Sequence, residues 1–391
     1  MDMQNPFVSA MREQARTAPE SGIVEIANYS WGREGIIPLW AGEGDLPTPQ
    51  FICDAANRSL AAGETFYTWQ RGIPELRTEL AEYHERQFGR SFTPERFFVT
   101  GSGMQAIQIA VACVAGAGDE VVIPTPAWPN MAAALEVAGA KPVHVPLELD
   151  ESRWVLDLDR LFAAVGPATR AIFINSPANP TGWMATEDEL RAIIRFARSK
   201  EIWVIADEVY NRFVYDRQRA PSFYDVMEGD DRLLFVNTFS KNWAMTGWRI
   251  GWISAPPELG QVIENLIQYS TSGVATFMQR AAIAALRDGE GFVTEQVARA
   301  AASRQIICDA LAGSNRVRFA PPDGAFYLLF SVDGEPDTRS LALRLCDEAG
   351  IAMAPGTAFG PGGEPYLRIC FARKPEDMGE AARRLTRWLG R

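Results

Sequence analysis

RAIFINSPANPTGWMATEDELRAIIRFARSKEIWVIADEVY, residues 170–210, is the stretch on which the fold turns. It opens with a β-rich run, RAIFIN (170–175), apolar at consecutive positions, as a strand buried on both faces must be. A loop rich in Pro and closed by Gly, N-S-P-A-N-P-T-G (175–182), comes next. Thr186 to Lys200 then reads as a helix, and T-E-D-E sets Glu189 three residues after Thr186, a capping-box arrangement. A second apolar run, IWVIAD (202–207), leads into Asp207-Glu208-Val209-Tyr210. Strand, helix and strand in succession make the unit of a parallel sheet covered by helices.

The same texture extends both ways. RFFVT (96–100), EVVIP (120–124), KPVHVP (141–146), LLFVN (233–237) and RIGWIS (249–254) are further short apolar runs. Helical patterns lie at Met104 to Ala115, Asn130 to Ala138 and Leu158 to Val165. The expectation is an α/β domain with a mainly parallel seven-stranded sheet, one or two strands of which are antiparallel. After Pro256 come three long helical stretches (near 258–269, 277–288 and 292–312), a strand AFYLLF (325–330), a helix (340–350), a strand YLRICFA (366–372) and a basic C-terminal helix. This reads as a smaller α+β domain. The first 45 residues are assigned to it because chain termini usually lie together at the surface. The division expected is 46–285 for the large domain, with 1–45 and 286–391 forming the small one.

Composition closes off other classes. The chain has 391 residues and a net charge of −11, which argues against a nucleic-acid or anionic-membrane partner. With only two histidines, His84 and His144, sixty residues apart, a hydrolase triad or a His-based metal site has little to work with. Five cysteines show no CxxC pair and no zinc spacing. No signal peptide is read at the N-terminus, and no stretch approaches a membrane helix. The expected setting is the reducing cytoplasm.

Ligands of open α/β sheets sit at the carboxyl ends of the strands, so the segment after each strand carries the chemistry. After RFFVT comes G101-S-G-M-Q-A106, opening a helix whose free amides suit a phosphate. Its G-x-G-x-x-A spelling also fits a dinucleotide site, but the acid that should end the next strand is missing. After IWVIA comes Asp207, either a helix cap or a carboxylate placed to hold a cationic ring nitrogen. No G-x-x-x-x-G-K-[ST] exists to make it part of a nucleotide hydrolase. After RAIFIN, Asn179 precedes Pro180 with an amide that can donate to a ligand oxygen. After LLFVN, Lys241 stands among Phe239, Trp243, Met245 and Trp248, where desolvation lowers an amine's pKa and frees it as nucleophile and base. Arg249 closes the segment.

N-P-T-G (179–182), D-E-V-Y (207–210) and S-K-N-W-A-M-T-G-W-R (240–249), in this order and spacing, resemble the fold type I pyridoxal-phosphate enzymes. More narrowly, they resemble the class I/II aminotransferases of the aspartate aminotransferase superfamily, from AGEGD near residue 41 to LRICFA near 367. The resemblance implies pyridoxal 5'-phosphate as cofactor and Lys241 as the Schiff-base lysine and proton carrier. It gives Asp207 the pyridine nitrogen, Asn179 and Tyr210 the phenolic oxygen, and Trp128 the ring face. Backbone amides of Ser102, Gly103 and Met104, with Ser240 and Arg249, are implied at the phosphate. Tyr67 matches a tyrosine that reaches the neighbouring subunit's phosphate, which implies a homodimer with shared active sites. Arg368 matches the arginine that grips the substrate α-carboxylate, and Gly42 lies in the loop over the substrate.

The activity implied is ping-pong transfer of an amino group from an L-amino acid to a 2-oxo acid. Rival readings are a pyridoxal-phosphate C–S lyase or other elimination, a non-catalytic regulatory module, and a nicotinamide oxidoreductase. The sequence departs from the family pattern at Gly44, where Pro is usual, at Ala178, and at the bulky Trp69 and Trp243, all able to reshape the substrate pocket. For a distal substrate carboxylate the candidates are Arg33 and Arg71. For an apolar side-chain pocket they are Trp31, Trp40 and Trp69, beside the plainer reading of ordinary packing.

Overall fold

Neighbouring residues of a strand point to opposite faces, so Ala171-Ile172-Phe173-Ile174 can stay dry only if both faces are covered. The computed structural model, which describes residues 5–229 and 231–390, covers both. Ala171 and Phe173 share one buried cluster with Ile205, Leu234 and Val236. Ile172 and Ile174 share another, on the opposite face, with Val204, Ala206 and Phe235.

The large sheet comprises β1 (Phe97–Thr100), β2 (Glu120–Thr125), β3 (Lys141–Pro146), β4 (Thr169–Asn175), β5 (Trp203–Asp207), β6 (Leu233–Thr238) and β7 (Gly251–Ser254). Their order is β1-β7-β6-β5-β4-β2-β3. These are the seven runs expected. Only β7 is reversed, antiparallel to both β1 and β6. The cause is the link between Thr238 and Gly251, which holds just the four-residue helix Phe239–Asn242 and the 3-10 turn Thr246–Trp248. A parallel return usually carries a full helix across the face of the sheet, and this link carries none.

Helix α1 (Gly22–Ser30) precedes this sheet in the chain, α2 (Gly103–Val114) leads on from β1, and α3 (Glu187–Lys200) joins β4 to β5. At the start of α3 the expected capping box is present: Thr186 Oγ1 accepts from Glu189 N at 3.2 Å, and Glu189 Oε2 accepts from Thr186 N at 2.6 Å. Register across the sheet sets Asn175 opposite Asp207, Asp207 opposite Val236, and Gly251 between Thr238 and Thr100. Because β7 runs the other way, its beginning lies at the edge where its neighbours end.

A second, antiparallel sheet is built from β8 (Val317–Phe319), β9 (Tyr327–Val332), β10 (Ala354–Pro355) and β11 (Leu367–Cys370), in the order β8-β9-β11-β10. Helices α4 (Glu290–Ala312), α5 (Thr338–Ala349) and α6 (Pro375–Leu389) accompany it. Leu328, Phe330, Leu345, Ile369 and Leu385 make its core, and Val209, Tyr210 and Phe213, from the loop after β5, pack into the same cluster. The first sheet's loop is thus anchored in the second unit. Helix α1 packs on β10, and Ile37–Pro38 pairs in parallel with Ile351–Ala352. The preceding helix Glu13–Arg16 lies against Pro129–Ala138 over the large sheet. No helix among the described residues is long and apolar enough to cross a membrane.

Gly251 is where β7 presses against the end of β6 and the start of α2. A Cβ there would fall 2.6 Å from the carbonyl oxygen of Asn237 and 2.9 Å from the amide nitrogen of Gly103. Both are backbone atoms held in a strand and a helix, so neither can swing aside. Gly251→Ala should therefore cost about 1–3 kcal/mol through overpacking. A lowered urea midpoint checks this, and an unchanged midpoint would show that the strand has room.

Candidate active site

The opening turn of a helix carries backbone N–H groups with no intrahelical acceptor. At α2 the Ser102 side chain takes one of them, from Gln105, at 3.0 Å. Gly103 and Met104 stand on the wall of a cleft at the sheet edge, so the helix presents its positive end there. Gly103 fits because there is little room for more: a Cβ would sit 3.3 Å from Thr238 Cβ. Thr238 and Ser240 line the same end, their hydroxyls 2.9 Å apart. Arg249, two residues before β7, reaches the cleft from a left-handed backbone at φ 54°, which few side-chain-bearing residues adopt. Amides, hydroxyls and a guanidinium together make an anion-binding end.

The middle of the cleft is set by the ends of β4 and β5. Asn175 ties them: its Nδ2 donates to Asp207 O at 3.1 Å, and its Oδ1 accepts from Asn179 N at 2.8 Å. Asp207 is 3% exposed, and its carboxylate receives one long hydrogen bond, from Val209 N at 3.4 Å. Burial pushes its pKa up to about 7, against which that bond and the Lys241 charge work. Among the described residues the carboxylate forms no ion pair.

Lys241 extends from the turn after β6 and donates to Gly42 O at 2.7 Å. Burial lowers its pKa from the 10.5 of an ordinary lysine to about 8, with the neighbouring cations Arg368 and Arg249 pushing the same way. The Gly42 carbonyl also accepts from the Tyr327 hydroxyl at 3.3 Å, and the Tyr327 and Tyr210 hydroxyls are 3.0 Å apart. Burial drives both phenols well above their ordinary range, so both stay protonated and available as donors.

Arg368, on β11, is a buried cation of the same cleft. Two arginines are buried among the described residues, and they are matched differently. Arg212 has the Glu290 carboxylate, Nη1 to Oε2 at 2.8 Å. Arg368 has no carboxylate: its Nη1 donates to Asn179 Oδ1 at 3.2 Å, its Nη2 to the Trp40 carbonyl, and its Nε has no partner. The rings of Tyr327 and Phe359 flank it at 4.7 and 4.9 Å. Such stacking contributes about 2 kcal/mol or more per desolvated contact, and an uncompensated buried charge costs about 3–5 kcal/mol. The rings keep the guanidinium in place; a planar anion would complete it.

One cleft therefore gathers Gly42, Gly103, Met104, Trp128, Asn179, Asp207, Tyr210, Ser240, Lys241, Arg249 and Arg368 from the residues singled out in the sequence. Ser102 lies just behind, as the cap of α2. Tyr67 is 95% exposed and outside the cleft of its own chain. The other candidates fall elsewhere. Arg33 is paired with Asp347 at 2.7 Å and Arg71 with Glu264 at 2.5 Å. Trp31 and Trp69 are exposed, and Trp40 gives its indole N–H to Ser30 Oγ. Trp243 is buried in a separate core with Tyr83, Phe239 and Trp252 and does not shape the cleft. Sequence reasoning missed Tyr327, Thr246 and Ile23, which also line it. Tyr327 was hidden inside the apolar run AFYLLF, and only the pairing of β9 with β11 shows that its hydroxyl is used.

Comparison with known proteins bears on the whole chain. A family model described as aminotransferase class I and II matches residues 34–385. An aspartate aminotransferase of Pyrococcus horikoshii is 33% identical over 380 residues, covering 96% of each chain. An aromatic-amino-acid aminotransferase of Thermococcus litoralis is 33% identical over 383 residues, covering 97% of this chain and 98% of the relative. Among solved structures, a single mutant of the Thermus thermophilus aspartate aminotransferase superposes with a TM-score of 0.90 at 32% identity, covering 97% of this chain and 99% of that one.

The depressed amine has a direct readout. Lys241 is the free base above a pH of about 8, well below the value for an ordinary lysine. Competitive labelling of ligand-free protein with acetic anhydride, quantified on the Lys241 peptide by mass, should rise through a midpoint near 8. A midpoint near 10.5 would contradict the site's electrostatics.

Proposed function

The chain belongs to the aminotransferases of class I and II, and from that premise we propose how its cleft carries out transamination with pyridoxal phosphate. The enzyme is a transaminase, moving an amino group from an amino acid to a 2-oxo acid. The observation that carries the assignment of roles is the meeting of three groups whose burial is uncompensated within the chain. These are the Asp207 carboxylate, the Lys241 amine and the Arg368 guanidinium.

Each finds its complement in the cofactor and substrate. Asp207 forms no ion pair among the described residues, and the protonated ring nitrogen of pyridoxal phosphate is a cation. The N-terminal amides of α2, the Ser240 hydroxyl and Arg249 fit a phosphate. The paired phenols of Tyr210 and Tyr327 supply a donor for the ring's phenolic oxygen, together with the Asn179 amide, whose Oδ1 is already held by Arg368. Trp128 offers a flat face to the ring. When bound, pyridoxal phosphate supplies a carbonyl that accepts the amino group and a ring that withdraws electrons from the substrate Cα.

The protein's part is orientation and proton transfer. Arg368 binds the substrate α-carboxylate through its planar fork, fixing which bond at Cα faces Lys241. Lys241 holds the proton taken from Cα at its Nζ and passes it on, burial having weakened the amine's hold on a proton. Gly42 O accepts from Nζ at 2.7 Å in the ligand-free protein and holds the amine in the cleft. The cycle is ping-pong, one amino acid leaving as its 2-oxo acid before the second 2-oxo acid enters.

Lys241→Ala should lose at least about 10³-fold in turnover, in line with removal of a general base, while the phosphate end still binds cofactor. In the unaltered enzyme, consumption of an amino donor should require a 2-oxo acid acceptor. Release of ammonia and a keto acid without acceptor would replace transamination by elimination.

Two subunits share the work in this reading. Phe66 and Tyr67 are 83% and 95% exposed and share one surface depression with Trp69, an apolar patch that a second copy covers. Tyr67 there serves the partner's phosphate end. Sedimentation should report a dimer, and Tyr67→Phe should weaken cofactor affinity several-fold without dissociating it. Unchanged affinity would remove Tyr67 from the site. All five cysteines are free, in keeping with a cytoplasmic enzyme.

A further inference from the structure

A short helix leaves its last carbonyls without intrahelical partners, and in a buried turn some other group must bond them. The turn Phe239–Asn242, which carries Lys241, is such a case. Asn242 O accepts from Gln296 Nε2 at 2.7 Å, and both residues are buried. Two residues on, Ala244 O accepts from Thr48 Oγ1 at 2.6 Å. Gln296 is the unusual donor of the two, because it reaches the turn from α4, 54 residues further along the chain.

Helix α4 passes from one core into another. Val293, near its start, packs in the cluster of Phe239, Trp243 and Trp252. Ile307 and Leu311, near its end, pack with Leu328, Phe330 and Ile369 of the second sheet. At 1.5 Å per residue, its 23 residues make a rod of about 35 Å. Ser303 follows Gln296 by roughly two turns and so lies on the same face. Its Oγ donates to Arg373 O at 2.7 Å, gripping the second unit as Gln296 grips the Lys241 turn.

The start of the rod is fixed against the same turn. Gly289 ends the helix Thr276–Asp288 and caps α4, and a Cβ there would fall 2.5 Å from Trp243 Nε1 and 2.6 Å from its Cδ1. The indole, two residues after Lys241, therefore lies directly against the backbone from which α4 begins. Gln296 and Lys241 also share the wall of a small cavity with Phe213, Phe326 and Ala372, so a loosened turn has room to carry the amine elsewhere.

We propose that Gln296 is a positioning residue: by holding the Asn242 carbonyl from α4, it sets where the Lys241 amine stands in the cleft relative to Arg368. It touches neither substrate nor cofactor and acts through the turn alone. The proposal rests on Lys241 as the reacting amine of the transaminase. The titratable and charged groups that face this amine are Glu43, Asp207, Tyr210, Arg249, Arg368 and Cys370, and a change at Gln296 alters none of them. A change in the amine's behaviour would therefore report its position.

The test sets Gln296→Met, which keeps the length and loses the donor, beside Ser303→Ala, which frees α4 from Arg373 and leaves the turn alone. In ligand-free protein, acetic anhydride labelling of the Lys241 peptide should shift in Gln296→Met, its midpoint rising from near 8 toward 10.5 by about half a pH unit or more as the amine gains water. Gln296→Asn, whose amide falls one methylene short, should move the midpoint the same way and serves where the Met variant does not fold. Ser303→Ala should lower the urea midpoint and leave the labelling midpoint in place. In the loaded enzyme Gln296→Met should lose several-fold in kcat while KM for the amino donor moves less than about twofold, since Arg368 is intact. An unmoved labelling midpoint in the Gln296 variants, or an equal shift in Ser303→Ala, overturns the proposal. The labelling needs no cofactor, so it judges the position of the amine separately from the transaminase reading, which would fall if pyridoxal phosphate brought no absorption band to the unaltered protein.

Discussion

The chemistry of this protein hangs on the register of parallel strands at one edge of a sheet. Asn175 lies opposite Asp207, and Asp207 opposite Val236, so three strands end at one level and their loops open into one space. A slip of one residue would turn Asp207 to the other face of the sheet, away from Lys241. The reversed strand completes the set. Since β7 starts where its neighbours finish, Arg249 arrives at the same edge from the opposite direction. Buried apolar clusters on both faces hold this register, so the core far from the cleft is what fixes the charges within it.

Those charges are held at a cost that the ligand-free protein does not recover. Burial raises Asp207 to about 7 and lowers Lys241 to about 8, and each shift is a preference for the neutral form. The linkage is unfavourable at neutrality for both. A carboxylate whose folded pKa is raised loses stability as pH climbs from its unfolded value toward 7. An amine whose folded pKa is lowered loses stability as pH falls from its unfolded value toward 8. A ligand with a cationic nitrogen for Asp207 and a carbonyl for Lys241 relieves both at once, so binding of such a ligand is coupled to folding stability.

How much of this the sequence shows depends on the physics of each element. Strands buried on both faces write themselves as unbroken apolar runs, and all seven were legible for that reason. The motifs after β4, β5 and β6 were legible because strand ends are where such sheets bind ligands. Which strand reverses was not, since it depends on one connection that forms no full helix. Tyr327 was invisible for a different cause: a tyrosine in YLLF looks like core, and its hydroxyl acquires a role only through Tyr210 and Gly42, 117 and 285 residues away in sequence. Ile23 has the same history, as an ordinary apolar residue until α1 docks on the second sheet.

The second sheet adds what the first cannot, a buried cation facing inward. Leu329 pairs with Arg368, and Tyr327 stands two residues earlier on the same strand, so the phenol ring lies under the guanidinium by strand geometry alone. Arg368 reaches back to Asn179 of the first unit, and Tyr210 reaches forward to Tyr327, which joins the two units through polar groups of the cleft itself. Contrast with Arg212 gives the reason. That arginine is buried with Glu290, and its bonding is complete inside the chain. Arg368 is buried with rings, an amide and a carbonyl, which leave its charge unneutralised. A net charge of −11 repels anions from the protein as a whole. Around Arg368 the balance is reversed, because the chain supplies a guanidinium there and no carboxylate to pair with it. That unpaired guanidinium, carried by the second sheet, faces the same cleft as the Lys241 amine carried by the first.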